Sequence, residues 1–200
     1  MIPLKITKEE VNGLELGAFE GKIILIDELE GLHEMYEDLY SKKSIGFDTE
    51  TRPAFRRGVS YDVALIQLAT VDTAYLIRIN KIGFPREVKR ILENPDIVKI
   101  GAAVRDDLKG LKKLSPTFKP SSFFDLNEEL KKVGFLNVGV RNLSAMVLGI
   151  RISKSEQVSN WEADRLTEKQ ELYAATDAWA CLSIFQKLLE NGTLEPLFSH

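Results

Sequence analysis

The sequence predicts an α/β domain built on one mixed sheet with helices on both faces. Short apolar runs alternate with stretches of helical period along the chain. Three of those runs follow one another across short connections, which makes them antiparallel neighbours, whereas the later runs are separated by helices and should pair in parallel. No internal repeat, low-complexity tract or linker interrupts the 200 residues, so a single domain over 1–200 is expected.

In chain order, strands are expected at Lys22–Asp27, Ser44–Thr49, Asp62–Thr70, Ala74–Ile79, Asp96–Ala102 and, briefly, Ser122–Asp125. Helices are expected at Leu29–Ser41, Pro85–Glu93, Arg105–Leu114, Leu126–Val133, Asn142–Leu148 and Glu168–Asn191. The run Ser44–Thr49 is mostly apolar, as a central strand covered on both faces should be. Gly58 and the polar stretch Thr51–Tyr61 turn the chain between it and the next strand. The final helix has the clearest limits. Thr167 and Gln170 form a Thr-x-x-Gln capping box, and Asn191-Gly192 is a stop. Leu172, Ala175, Trp179, Leu182, Gln186 and Leu189 recur at helical spacing, broken only by Gln186.

Composition narrows the function classes. At 44% hydrophobic and 28% charged residues, the chain is neither disordered nor fibrous. Its single cysteine, Cys181, forms no internal bridge, and no apolar stretch is long enough to span a bilayer. A cytoplasmic protein without membrane contact is expected. A net charge of −3 argues against coating long tracts of nucleic acid, which requires a basic excess. It leaves room for an enzyme that grips a few terminal nucleotides, with bound metal ions supplying the positive charge.

Several acids stand in unusual places. Asp48 and Glu50 end an apolar strand two residues apart, so their carboxylates point to one side and can share a hard cation. Two solvated acids at a strand end are the plain alternative. Asp177 interrupts the apolar run Tyr173–Leu182, where a carboxylate needs a partner or a metal. The alternative there is the polar stripe of an amphipathic helix. Tyr173, four residues before it, lies on the same face. Asp106 and Asp107 open a helix, where acids are common for dipole reasons alone.

These residues carry a resemblance. Phe47-Asp48-Thr49-Glu50-Thr51 followed by Val63-Ala64-Leu65-Ile66-Gln67-Leu68-Ala69, then Val98 to Leu108, then Tyr173-Ala174-Ala175-Thr176-Asp177, stand in the order and spacing of three motifs. Together they resemble the DEDD exonuclease superfamily in its tyrosine-containing (DEDDy) branch, which includes ribonuclease D and Werner-type exonuclease domains. The segment Lys154 to Trp161 is similar to the approach to the third motif, and the resemblance runs from about Lys22 to about Leu189.

The resemblance implies a ribonuclease H-like fold and 3′→5′ removal of nucleotides from a DNA or RNA end. It implies two ions, Mg²⁺ or Mn²⁺, about 4 Å apart. Asp48, Glu50 and Asp177 would hold one, Asp48 would bridge to the other, and Asp107 would act through the second ion's water shell. The family register from Gly101 selects Asp107, with Asp106 as the alternative. Tyr173 would orient the attacking water; with an ordinary pKa of about 10 it is a poor base at neutral pH. A core aromatic with a hydrogen-bonded hydroxyl is its alternative.

For the nucleic acid 3′ end, Thr51 is a candidate for the terminal hydroxyl, Arg52, Arg56 and Arg57 for phosphates, and Phe55 for a base. Lys154 and Trp161 are further substrate candidates, Trp161 equally as a hydrophobic anchor. Two rival functions stay open: a catalytically silent nucleic-acid-binding domain on the same fold, and a ribonuclease H-type endonuclease.

Overall fold

The computed structural model describes residues 2–56 and 58–195. Arg57, one of the expected phosphate contacts, lies outside them. Six strands form one sheet: β1 (Lys22–Ile26), β2 (Ser44–Thr51), β3 (Val63–Ala69), β4 (Thr73–Ile77), β5 (Val98–Gly101) and β6 (Phe123–Asp125). Their spatial order is β1-β4-β3-β2-β5-β6. The consecutive strands β2, β3 and β4 are antiparallel, while β1–β4, β2–β5 and β5–β6 are parallel. This is the mixed sheet expected. The edge position of β1, beside β4, is a long-range pairing that no local pattern carries.

The helices are α1 (Lys8–Gly13), α2 (Leu32–Tyr40), α3 (Ile79–Ile82), α4 (Arg86–Glu93), α5 (Arg105–Leu114), α6 (Leu126–Lys132), α7 (Val140–Leu143) and α8 (Glu168–Glu190). The expected helix at Asn142–Leu148 is α7 running into a π-helical turn, Ser144–Leu148. The short helices α1 and α3 are additions to the elements expected from the sequence. Helix α1 nonetheless carries a full Thr7–Glu10 capping box. The strand expected to reach Ile79 stops at Ile77, because Ile79 opens α3.

Strand alternation divides the core. Ile45, Phe47, Ile66, Leu68 and Tyr75 pack on one face against Met35 and Leu39 of α2, Val88 and Ile91 of α4, and Leu111 of α5. On the opposite face Leu65, Ala69 and Leu76 meet Ala174, Ala175 and Ala178 of α8. The distal half of α8 (Leu182, Ile184, Phe185, Leu188) is covered by α6, α7 and the π-turn. Helix α8 is therefore enclosed on two sides, and its buried face is wider than the single stripe expected. Leu172, assigned to that stripe, is 39% exposed, while Tyr173 and Cys181 are buried.

Candidate active site

A glycine sets how closely helix and sheet approach. A Cβ on Gly46 of β2 would stand 1.9 Å from the Ala178 carbonyl oxygen, so only a glycine lets α8 lie directly on the strand. Alanines at 174, 175 and 178 keep the helix side of the contact thin. The consequence is local. Asp48 and Glu50 share the face of Gly46, and Asp177 precedes Ala178, so the three carboxylates are brought together. One oxygen from each of Asp48, Glu50 and Asp177 lies within 4.8 Å of the others. Pairing of β2 with β3 becomes irregular between Glu50 and Thr51; such bulges mark the rims of many sites.

Crowded acids in a partly enclosed site resist ionisation. Burial, then the charges of Asp177 and Asp107, holds the Asp48 carboxyl well above the ordinary carboxylate range. Burial and Asp48 push Glu50 up to about 10. Burial raises Asp177 to about 7, against the opposing pull of the Tyr173 hydroxyl and the Lys154 ammonium. The Tyr173 hydroxyl is itself driven up, by burial first and by the Asp177 charge second. It remains a neutral phenol, able to donate a hydrogen bond. Oxygen-only ligands in this number suit a hard divalent cation, whose charge would offset the repulsion.

Asp106 and Asp107 part company at the start of α5. Asp106 is exposed and pairs with Lys109 at 2.9 Å. Asp107 turns inward, accepts a hydrogen bond from the Thr49 hydroxyl, and is raised by burial to about 6. Asp125, which sequence reasoning passes over, holds this corner. Its carboxylate accepts from the backbone N–H groups of Ala103 (2.9 Å) and Val104 (3.0 Å), and from Asn127 at the start of α6. Ala103 adopts a left-handed φ of 59°, a conformation those bonds stabilise for a non-glycine residue. An Asp directly before Leu126-Asn127-Glu128 is a helix N-cap signal, and the sequence displays it.

The remaining candidates lie around this cluster. Exposed Lys154 lines a cavity of about 260 Å³ with Arg141, Tyr173 and Asp177. Phe55 is 84% exposed, beside a cavity of about 440 Å³ lined also by Arg52, Arg56 and Tyr61. The Arg52 guanidinium lies over the Tyr61 ring at 4.8 Å and pairs with Glu162 at 3.3 Å. Thr51 borders a further cavity with Thr49 and Asp107. Trp161 does not fit a substrate contact. It has no exposed surface and stands 6.0 Å from the Tyr173 ring, centroid to centroid. It anchors the loop before α8 instead, and buried Arg78 fixes that loop further by donating to the Ala163 and Asp164 carbonyls.

Among the described residues, no helix is long and apolar enough to cross a membrane. The chain is 36% identical over 197 residues to the bifunctional 3′-5′ exonuclease/ATP-dependent helicase WRN of Mus musculus, covering 90% of this chain. It is 32% identical over 172 residues to ribonuclease D of Gluconacetobacter diazotrophicus, covering 84%. It spans only 14% of the mouse protein and 42% of that ribonuclease D. Among solved structures, the Aedes aegypti Nibbler EXO domain superposes with a TM-score of 0.79 at 26% identity, covering 88% of this chain and 93% of that one. Escherichia coli RNase D does so with a TM-score of 0.75 at 26% identity, covering 86% and 45%. A family model described as 3′-5′ exonuclease matches residues 23–192, the stretch that contains the sheet from Ile23 onward, α8 and every clustered acid, and the chain belongs to that family.

Proposed function

We propose that this chain is a metal-dependent 3′→5′ exonuclease of the tyrosine-containing branch, hydrolysing terminal phosphodiester bonds and releasing nucleoside monophosphates. The convergence of Asp48, Glu50 and Asp177 within 4.8 Å carries this reading. Three carboxylates with little intrinsic tendency to ionise together fit a divalent cation, and their hard oxygens fit Mg²⁺ or Mn²⁺. Two such ions, when bound, supply the charge that stabilises the attacking and leaving oxygens of an in-line displacement.

The chain's own groups do the rest. Asp48 and Glu50 are fixed by a central strand and Asp177 by a long buried helix, so the three oxygens are preorganised. Tyr173 stays protonated, and with its proton directed to Asp177 its oxygen accepts from the attacking water and orients it instead of removing its proton. Asp107, held by the Thr49 hydroxyl and not one of the three converging carboxylates, would act through the water shell of a second ion. Lys154 and Arg141 place positive charge beside Asp177, where a phosphate is attracted. Thr51, Phe55 and Arg56 offer a hydroxyl, an exposed ring and a guanidinium for the terminal nucleotides.

Relatives of both kinds, an exonuclease–helicase and a ribonuclease, match this chain, so DNA and RNA ends are both proposed substrates. Side-by-side digestion of matched RNA, single-stranded DNA and recessed-end duplex DNA in Mg²⁺ or Mn²⁺ tests the reading. At least one should shorten with release of nucleoside monophosphate. No shortening of any substrate with either ion would refute it.

A further inference from the structure

One buried polar side chain has no part in that scheme. Gln67, in the middle of β3, has no exposed surface, and among the described residues neither its amide nitrogen nor its amide oxygen has a hydrogen-bond partner. An enclosed amide left unpaired at both ends destabilises a fold, and an apolar side chain of the same length would serve packing better.

The strand register shows what the amide lies beside. Gln67 is paired directly with Asp48 across the β2–β3 ladder. Such cross-strand neighbours have Cβ atoms about 4.5–5.5 Å apart on one face of the sheet. Its partner on β4 is Leu76, Leu65 and Ala69 flank it on β3, and Ala174, Ala175 and Ala178 of α8 pack over that face. These neighbours are apolar. The Asp48 carboxylate is the polar group that the register sets directly opposite Gln67, with Glu50 one diagonal step further along β2.

We propose that Gln67 is a positioning residue for Asp48. Its amide N–H donates to the Asp48 carboxylate when that carboxylate ligates a divalent cation, fixing which oxygen faces the ion. Gln67 flanks Asp48 from the neighbouring strand β3, whereas Glu50 lies further along β2 and Asp177 comes from α8. Carboxylate ligands are commonly oriented by hydrogen bonds of this kind, and their loss weakens metal binding. The inference rests on the metal-dependent reading above.

Gln67→Met, nearly isosteric and apolar, tests it, with Gln67→Leu as a second shape. Mn²⁺ titration followed by electron paramagnetic resonance should show a dissociation constant about 10–100-fold above that of the unaltered chain. The melting temperature in chelator should be unchanged or higher, because the orphaned amide is gone. A folded Gln67→Met protein that binds Mn²⁺ within twofold of the unaltered chain would overturn the proposal. So would failure of both variants to fold, which would assign the amide to the fold alone. Absence of Mn²⁺ binding by the unaltered chain would overturn the metal site as well, separating that failure from one of Gln67.

Discussion

Gly46→Ala adds one methyl group where β2 and α8 touch. The new Cβ would lie 1.9 Å from the Ala178 carbonyl oxygen, where ordinary contact begins at 3.4 Å. Helix and strand must therefore separate by roughly 1.5 Å, since neither backbone can rotate out of the way. Asp177 is adjacent to Ala178 and Asp48 is two residues from Gly46, so the separation passes directly into the carboxylate cluster. Misplacement by about 1 Å can cost about 10²-fold in rate, and overpacking of a core costs about 1–3 kcal/mol. For a domain of this size that is a fall in melting temperature of about 2–12 °C. Exonuclease turnover and Mn²⁺ affinity would be measured beside a thermal melt. Gly13→Ala serves as control, because none of the described residues lies within 4 Å of a Cβ there. Turnover within threefold of the unaltered enzyme in a folded Gly46→Ala protein would refute the claim that this contact sets the site.

Asp177→Asn should abolish turnover yet raise stability in chelator at pH 7.5. The folded carboxyl is raised to about 7 above an unfolded value of about 3.9, so its penalty is absent below pH 4, grows between about pH 4 and 7 and is fully present above 7. Partial exposure and coupling reduce the gain to about 1–3 kcal/mol; a melting difference that persisted unchanged at pH 4 would count against this origin. Tyr173→Phe should slow turnover by up to about 10²-fold with Mn²⁺ affinity unchanged, and full rate would remove the water-orienting role. Asp107→Asn should lose activity at least tenfold, while Asp106→Asn, whose carboxylate faces Lys109, should behave as the unaltered enzyme. Steady-state rates for the pair check the assignment, and the reverse order would restore Asp106.

Local periodicity makes part of the site legible in the sequence. A strand places Asp48 and Glu50 on one side, and a helix places Tyr173 and Asp177 one turn apart; both relations follow from backbone geometry alone. Alternation does not show that α8 lies on β2, because that depends on a glycine meeting a carbonyl from a residue 132 positions away. Helix-dipole arguments likewise leave Asp106 and Asp107 equivalent, and the two are distinguished in space by the Thr49 hydroxyl and by Lys109. Trp161 is ambiguous in sequence because an aromatic beside a site and one beneath it look alike there; only its complete enclosure distinguishes them. Gln67 reads as an ordinary interruption of an apolar strand until the register sets it against Asp48. Helix α1 is a different case, since its Thr7–Glu10 capping box stands in plain view.

The clustered acids are proposed to support removal of nucleotides from an open 3′ end. The most direct test is a linear oligonucleotide labelled at its 5′ end, digested in Mn²⁺ beside a circular strand of the same sequence. The expected result is a ladder shortening one nucleotide at a time, abolished by chelator and by Asp48→Asn, with the circle intact. Cutting of the circle, or a ladder that survives Asp48→Asn, would contradict it.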